Sequence, residues 1–221
     1  MRIKKIIRSN RKTIALQVDS DTALIVKAPF NASDAIIEKV ILKHYQWLVR
    51  KQKEILLRQT RFPKKKFVEG ECFYFLGNKY NLRLVKEQKE VLTIKNHSFL
   101  LRKNHTNPRE IFINWYKRMA QIKLPRSVAR LAEQYGFSYN KISITNAEKQ
   151  WGSCSHLGNL NFPWRLIMTP QQIIDYVIIH ELVHLNIKNH SKIFWSKVKE
   201  YLPEYKMHRD WLKKNGHLSI F

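Results

Sequence analysis

The stretch QQIIDYVIIHELVHLNIKNH (residues 171–190) constrains this chain more than any other. Ile173, Ile174, Val177, Ile178, Ile179, Leu182, Val183 and Leu185 wrap most of a helical circumference, as in a helix buried on nearly all sides. Set into it are His180, Glu181 and His184. Burying an unpaired carboxylate costs several kcal/mol, and each unpartnered imidazole roughly 1–3 kcal/mol. A fold that buries this helix must therefore give these three side chains something to bind.

A metal ion meets that demand. Positions i and i+4 are neighbours on one helical face, so the imidazoles of His180 and His184 can converge on one ion. Zinc takes His nitrogens at about 2.0–2.1 Å, and a catalytic zinc wants a third protein ligand and one open position. Glu181 lies about 100° around the helix from His180, beside the ion rather than on it, where it can hold and deprotonate a water. His190 follows His184 by six residues, across Asn186-Ile187-Lys188-Asn189, where the asparagines can end the helix and reverse the chain. Metzincins share this spacing, but Ile187 stands where their turn glycine falls, so no metzincin turn is expected. Nine His and 12 Glu among 221 residues give about 0.02 chance matches to HExxH, and about 0.001 with His190 required, so coincidence is a poor explanation.

Around this helix the patterning is mixed. Ile14, Leu16 and Val18, then Leu24 and Val26, predict two antiparallel strands joined at Asp19-Ser20-Asp21. Pro29 ends the second strand, and Asn31 or Ser33 caps a helix running to about Thr60, with Ile36, Val40, Trp47 and Ile55 near helical spacing. Short strands are expected over residues 62–103, broken at Gly70 and at Gly77-Asn78. A long helix over about residues 108–135 carries Pro125, which should kink or divide it, and stops at Gly136. Residues 142–145 and 159–168 read as strands, the second at a sheet edge or bulge because of Pro163. Thr169 should cap the histidine helix, with Pro170 at its first position and Gln172 completing a capping box. The fold class is α+β. A soft boundary near Asn104 separates a β-rich N-terminal part with one long helix (residues 1–104) from an α+β part (residues 105–221).

Composition limits the setting. Cys72 and Cys154 are too few for a disulfide framework and read as free thiols in a reducing compartment. The start MRIKKIIRSNRK lacks the apolar stretch of a signal peptide, and no apolar run approaches the roughly 20 residues of a membrane span. A cytoplasmic protein with no membrane partner is expected. The net charge of +24 invites nucleic acid or phosphorylated substrates, but no RNA-binding or helix-turn-helix signature accompanies it, and a solvated basic surface accounts for it as well.

The block WGSCSHLGNLNFPWRLIMTPQQIIDYVIIHELVHLNIKNHSKIFW, followed by LPEYKMHRDWLKKNG, resembles the YgjP-like metallopeptidase family, relatives of the SprT-type zinc proteins. The segments RKTIALQVDSDTALIVKAPF and VEGECFYFLGNKYNL, the Trp47 region and the helix before Gly136 resemble that family's N-terminal half. The resemblance implies a zincin-like α+β core with an HExxH helix, one Zn2+ per chain on His180, His184 and His190, Glu181 as catalytic glutamate, and hydrolysis of peptide or protein substrates. Gln150 departs from the family pattern, which usually has Arg directly before Trp-Gly-Ser-Cys-Ser.

Other side chains are weaker candidates. Substrate would pair with a sheet edge, for which residues 159–165 are the candidate, with Asn159 and Asn161 facing the cleft. Arg165, Tyr205 and His208 are candidates for stabilising an oxyanion. Asp175 or another carboxylate would orient a ligand imidazole. Cys154 reads as a small buried residue in a turn, because a fourth protein ligand would close the site, and Trp151 and Trp195 read as core. Two other functions share the same residues: a metal-dependent hydrolase of a phosphoanhydride or nucleotide, and a nucleic-acid-associated protease using the basic surface. Against the first, the sequence has no Gly-rich phosphate loop.

Overall fold

The computed structural model describes residues 3–19, 21–61 and 65–215, so Ser20 of the expected turn and residues 62–64 of the expected strand region lie outside it. Two compact units, Met1–Lys64 and Lys65–Phe221, divide the chain. The boundary expected near Asn104 thus falls inside the second unit, because the sheet before Asn104 shares a hydrophobic core with the helices after it.

In the first unit β2 (Ala15–Val18) and β3 (Leu24–Pro29) pair antiparallel, and the Asp19 carboxylate accepts from the Asp21 and Ala23 N–H groups at the turn. A third strand, β1 (Ile3–Ser9), runs parallel to β3 on its other side. Leu24, Val26 and Ala28 face one way from β3 and meet Ile37 and Leu48. The expected single helix to Thr60 is two: α1 (Asp34–Lys43), capped by the Ser33 hydroxyl, and α2 (Tyr45–Arg61), separated at His44. That break moves the buried face onto Ile37 and Leu48 and leaves Ile36 and Trp47 exposed.

The second unit holds β4 (Cys72–Phe75), β5 (Asn78–Val85), β6 (Leu92–Lys95) and β7 (Ser98–Arg102) in a sheet of order β4-β5-β7-β6. Phe73 and Phe99 of this sheet pack on Phe112 and Tyr116 of α3 (Pro108–Tyr135), with ring centroids 4.3–6.1 Å apart for Phe73–Phe112, Phe99–Phe112, Phe99–Tyr116 and Phe73–Phe99. Helix α3 continues through Pro125 rather than dividing there, and Gly136 caps it. A second sheet, of order β8-β10-β9, comprises β8 (Ile142–Thr145), β10 (Leu160–Pro163) and β9 (Ser153–Cys154). The run 159–168 is therefore not one strand, since residues Trp164–Met168 form a 3-10 turn. Nor is β10 at an edge. Pro163 is tolerated because β9 pairs only with Leu160 and Asn161, so the missing N–H at Pro163 breaks no bond on that side.

Helix α4 (Gln171–Asn186) is followed by α5 (Lys192–Tyr201) and α6 (Tyr205–Asn215). Thr169 does not cap α4. Its hydroxyl donates to the Leu166 carbonyl inside the preceding turn, and Pro170 precedes the helix without a side-chain cap. Seven aliphatic side chains of α4 are buried, each contributing roughly 1.5–3 kcal/mol, and together they outweigh the cost of the polar groups the helix carries. Among the described residues no helix is long and apolar enough to cross a membrane.

The hairpin between β4 and β5 turns on Leu76 and Gly77, both at positive φ (49° and 79°), and their N–H groups bond the Ile167 and Met168 carbonyls. A Cβ at Gly77 would lie 2.7 Å from Pro170 Cγ and 2.8 Å from Pro170 Cα. Gly77→Ala should cost roughly 2–4 kcal/mol in chemical denaturation. Gly70→Ala, also at positive φ but with nothing within 4 Å, should cost only about 1 kcal/mol. Equal losses would show that the contact with Pro170 contributes nothing.

Candidate metal centre

Helix α4 brings His180 and His184 onto one face, and its end brings in the third histidine. The helix closes with the Ile187 N–H bonded to the Val183 carbonyl, and the chain reverses to Ser191, whose hydroxyl caps α5. This reversal carries His190 Nε2 to 2.9 Å from His180 Nε2 and 3.1 Å from His184 Nε2. One nitrogen from each of the three side chains lies within 4.8 Å of the others.

Packing holds the rings there. Phe194 stacks on His184 (4.4 Å, 30°) and meets His180 and His190 edge-on at 4.9 and 4.8 Å. Trp195 lies nearly parallel to His190 (5.6 Å, 23°). The orienting partner of His184 is a main-chain carbonyl: Nδ1 donates to Ile187 O at 2.9 Å, which leaves the lone pair on Nε2 facing the other two rings. Asp175, the carboxylate expected in such a role, instead pairs with Arg130 at 2.8 Å and accepts from Gln171.

Electrostatics favour a cation at this point. Burial, reinforced by the neighbouring His184 and His190, pushes His180 down to about 3. Burial also lowers His184, against the Ile187 hydrogen bond. Burial raises the Glu181 carboxyl to about 8. His180 and His184 are thus held neutral and a neighbouring carboxyl is starved of positive charge. A divalent ion among the three Nε2 atoms would use the lone pairs and stabilise the carboxylate at once.

A cavity of about 270 Å³ opens over the cluster, lined by Gly152, Ser153, Cys154, His180, Glu181, His184, Lys188 and His190. Its far wall is β9. Glu181 packs so closely against this wall that a Cβ at Gly152 would come 2.6 Å from Glu181 Oε1 and 2.7 Å from its Cγ. Cys154 is not buried in a turn as expected but stands half-buried on β9, on the cavity wall, its thiol raised mainly by burial.

The other candidates do not line this cavity. Asn161 donates to the Ser153 hydroxyl at 3.2 Å, and Asn159 donates its N–H to the Ser155 hydroxyl. Arg165 bonds the Asn146 carbonyl and the Glu148 carboxylate, both at 3.1 Å, and covers the Trp164 ring. Tyr205 stacks on Trp195 (5.3 Å, 19°), and His208 packs on Tyr176, whose ring meets that of His180 at 6.0 Å. Both reach the histidines only through another ring. Trp151 and Trp195 pack against the core. Gly152 and Lys188 line the cavity without having been singled out. The Gly-Ser pair in WGSCS was the available signal for the first, and Lys188 gave none beyond its place between His184 and His190.

The family described as YgjP-like, metallopeptidase domain matches residues 12–215. No curated protein matches the chain. Among solved structures, the chain is similar to the crystal structure of the metallopeptidase zymogen of Pyrococcus abyssi abylysin, with 21% identity and a TM-score of 0.38, over 41% of this chain and 93% of that one. It is similar also to the metallopeptidase zymogen of Methanocaldococcus jannaschii jannalysin, with 20% identity and a TM-score of 0.35, over 42% and 95% respectively.

Replacing His180, His184 or His190 by Ala should each weaken binding of Co2+ or Zn2+ by more than the roughly 10–100-fold that loss of an outer partner costs, read by competition with a chromogenic chelator. If His190→Ala binds as tightly as the native chain, the three nitrogens do not form one site.

Proposed function

The chain belongs to the YgjP-like metallopeptidase family and is a metal-dependent peptidase acting on peptide or protein substrates; from that premise we propose a zincin-like site in which His180, His184 and His190 hold one Zn2+ and Glu181 is the general base. Three imidazoles suit zinc better than magnesium or calcium, which take oxygen donors. A tetrahedral ion with bonds of about 2.1 Å spaces its nitrogens about 3.4 Å apart, so the 2.9 and 3.1 Å separations need to open by only a few tenths of an ångström. When bound, the ion supplies Lewis-acid polarisation of the scissile carbonyl and makes a water acidic enough to attack.

The chain's own residues do the rest. Glu181 takes the attacking water's proton and gives it to the leaving nitrogen. It must be ionised to do so, and a divalent cation alongside opposes the burial that raises its carboxyl. Gly152, just before β9, lets the main chain come close against that carboxylate. An extended peptide would add to the side of β9 that does not pair with β10, its scissile bond over the cavity. The observation that carries this reading is the set of three close Nε2 atoms beside one buried carboxyl.

Glu181→Gln should keep about one zinc per chain and lose roughly 10²–10⁴-fold in kcat on a denatured-protein or peptide-library substrate. Hydrolysis at the native rate by this variant would remove Glu181 from the mechanism. Gly152→Ala should also keep zinc while lowering kcat at least about tenfold, because the added methyl must displace the Glu181 carboxylate. An unchanged kcat would mean that this close approach does not position the base.

A further inference from the structure

Once the three histidines and Glu181 are given their roles, the side chains left on the cavity wall are those of Ser153, Cys154 and Lys188. Lys188 is the one basic side chain among them. It sits in the segment between α4 and α5, two residues before His190, and its ammonium comes to 3.5 Å from the Ser155 carbonyl just beyond β9. The side chain therefore reaches from the helix side toward the opposite wall. Among the described residues it makes no salt bridge, whereas Lys4, Lys51, Lys65, Lys197 and Lys213 each have a carboxylate within 4.0 Å.

An ammonium on the wall of a cavity that would hold a divalent cation adds a second positive group beside it, against the single carboxylate of Glu181. A carboxylate brought in by the substrate would meet that excess of positive charge. We infer that Lys188 is a specificity-determining residue that pairs with a carboxylate of the substrate close to the scissile bond, either an Asp or Glu side chain or the chain's own C-terminus. This rests on the metal-bound site of the peptidase reading, while the binding it predicts needs no hydrolysis. A Lys ammonium is a point charge on a flexible stem and asks for no particular fork geometry, so it selects the charge of a carboxylate rather than one side chain. The discrimination to expect is that of a partly exposed ion pair, about fivefold.

The test measures binding, with peptide left intact. In the Zn2+-loaded Glu181→Gln background, dansyl-labelled octapeptides of otherwise uncharged residues carry Glu, Gln or Lys at the centre, each with a free or an amidated C-terminus. The expected result is about fivefold tighter binding of a carboxylate-bearing peptide than of its amide counterpart. Preference following the central Glu assigns the carboxylate to a side chain, and preference following the free terminus assigns it to the chain end. Adding Lys188→Met should abolish the preference, and Lys188→Glu should reverse it toward the Lys peptide. Lys89→Met, which removes an exposed charge that does not line the cavity, should leave it intact.

No preference in the background variant overturns the assignment. So does a preference that survives Lys188→Met, because the carboxylate would then be held by the metal or by the general positive field. An equal effect of Lys89→Met overturns it as well. The two readings fail separately. A Lys188-dependent preference without hydrolysis by the native chain removes the peptidase mechanism and keeps Lys188 as the carboxylate site. Hydrolysis without the preference does the reverse.

Discussion

The site depends on one unfavourable arrangement: imidazole lone pairs and a carboxyl held together in an apolar helix that water does not solvate well. Alone, none of these groups is stable there in its charged form, which is why His180 falls to about 3 and Glu181 rises to about 8. Together they make a place where a divalent cation is worth more than it would be at the surface, because it relieves every member of the set. The seven buried aliphatics of α4 hold the helix in position whether or not those polar groups are content. Packing thus fixes the geometry first, and a cation would find donors that need little reorganisation.

The third histidine shows the same division of labour over a shorter distance. His190 belongs to no helix and is exposed, so nothing about its own backbone fixes it. Two aromatic rings on the first turn of α5 do: Phe194 touches all three imidazoles, and Trp195 lies along His190. The Ser191 cap sets where α5 begins and therefore where those rings stand. On the opposite side Gly152 lets main chain, rather than a side chain, close against Glu181. A cavity bounded by a short strand and a helix end leaves, among the described residues, an unpaired edge of β9 next to the histidines.

Much of this was legible in the sequence, for local reasons. The HELVH spacing, His190 beyond it, the Gly136 stop and the hairpins around Gly77 are all set within a few residues. What escaped is what depends on distant partners. Strand β1 has exposed side chains on both faces for most of its length, so no alternation announces it, and only pairing with β3 makes it a strand. Strand β9 has two residues, too few for any pattern, yet its presence turns the expected edge at Asn161 into a central strand. Thr169 looks like a cap but bonds backward to Leu166 in the 3-10 turn before α4, and Pro170 takes the N-cap position of the helix. Gly152 was marked only by the Gly-Ser pair in WGSCS, and Lys188 by nothing around it, since what matters about each is the group it faces.

The positive charge of the chain takes on a sharper meaning at this scale. A net +24 raises the concentration of any anion near the molecule, but it does not choose among anions, and at physiological salt a surface charge is largely screened beyond about 8 Å. Most of the 41 Lys and Arg residues are therefore too diffuse a signal to decide what enters the cavity. A charge standing on its wall acts inside that distance, where screening by salt is weakest. Lys188 occupies such a position, reaching across toward β9, along which an extended chain would lie. The long-range field can bring acidic polypeptides to the surface; selection falls to the few groups that a substrate meets after the field has done so.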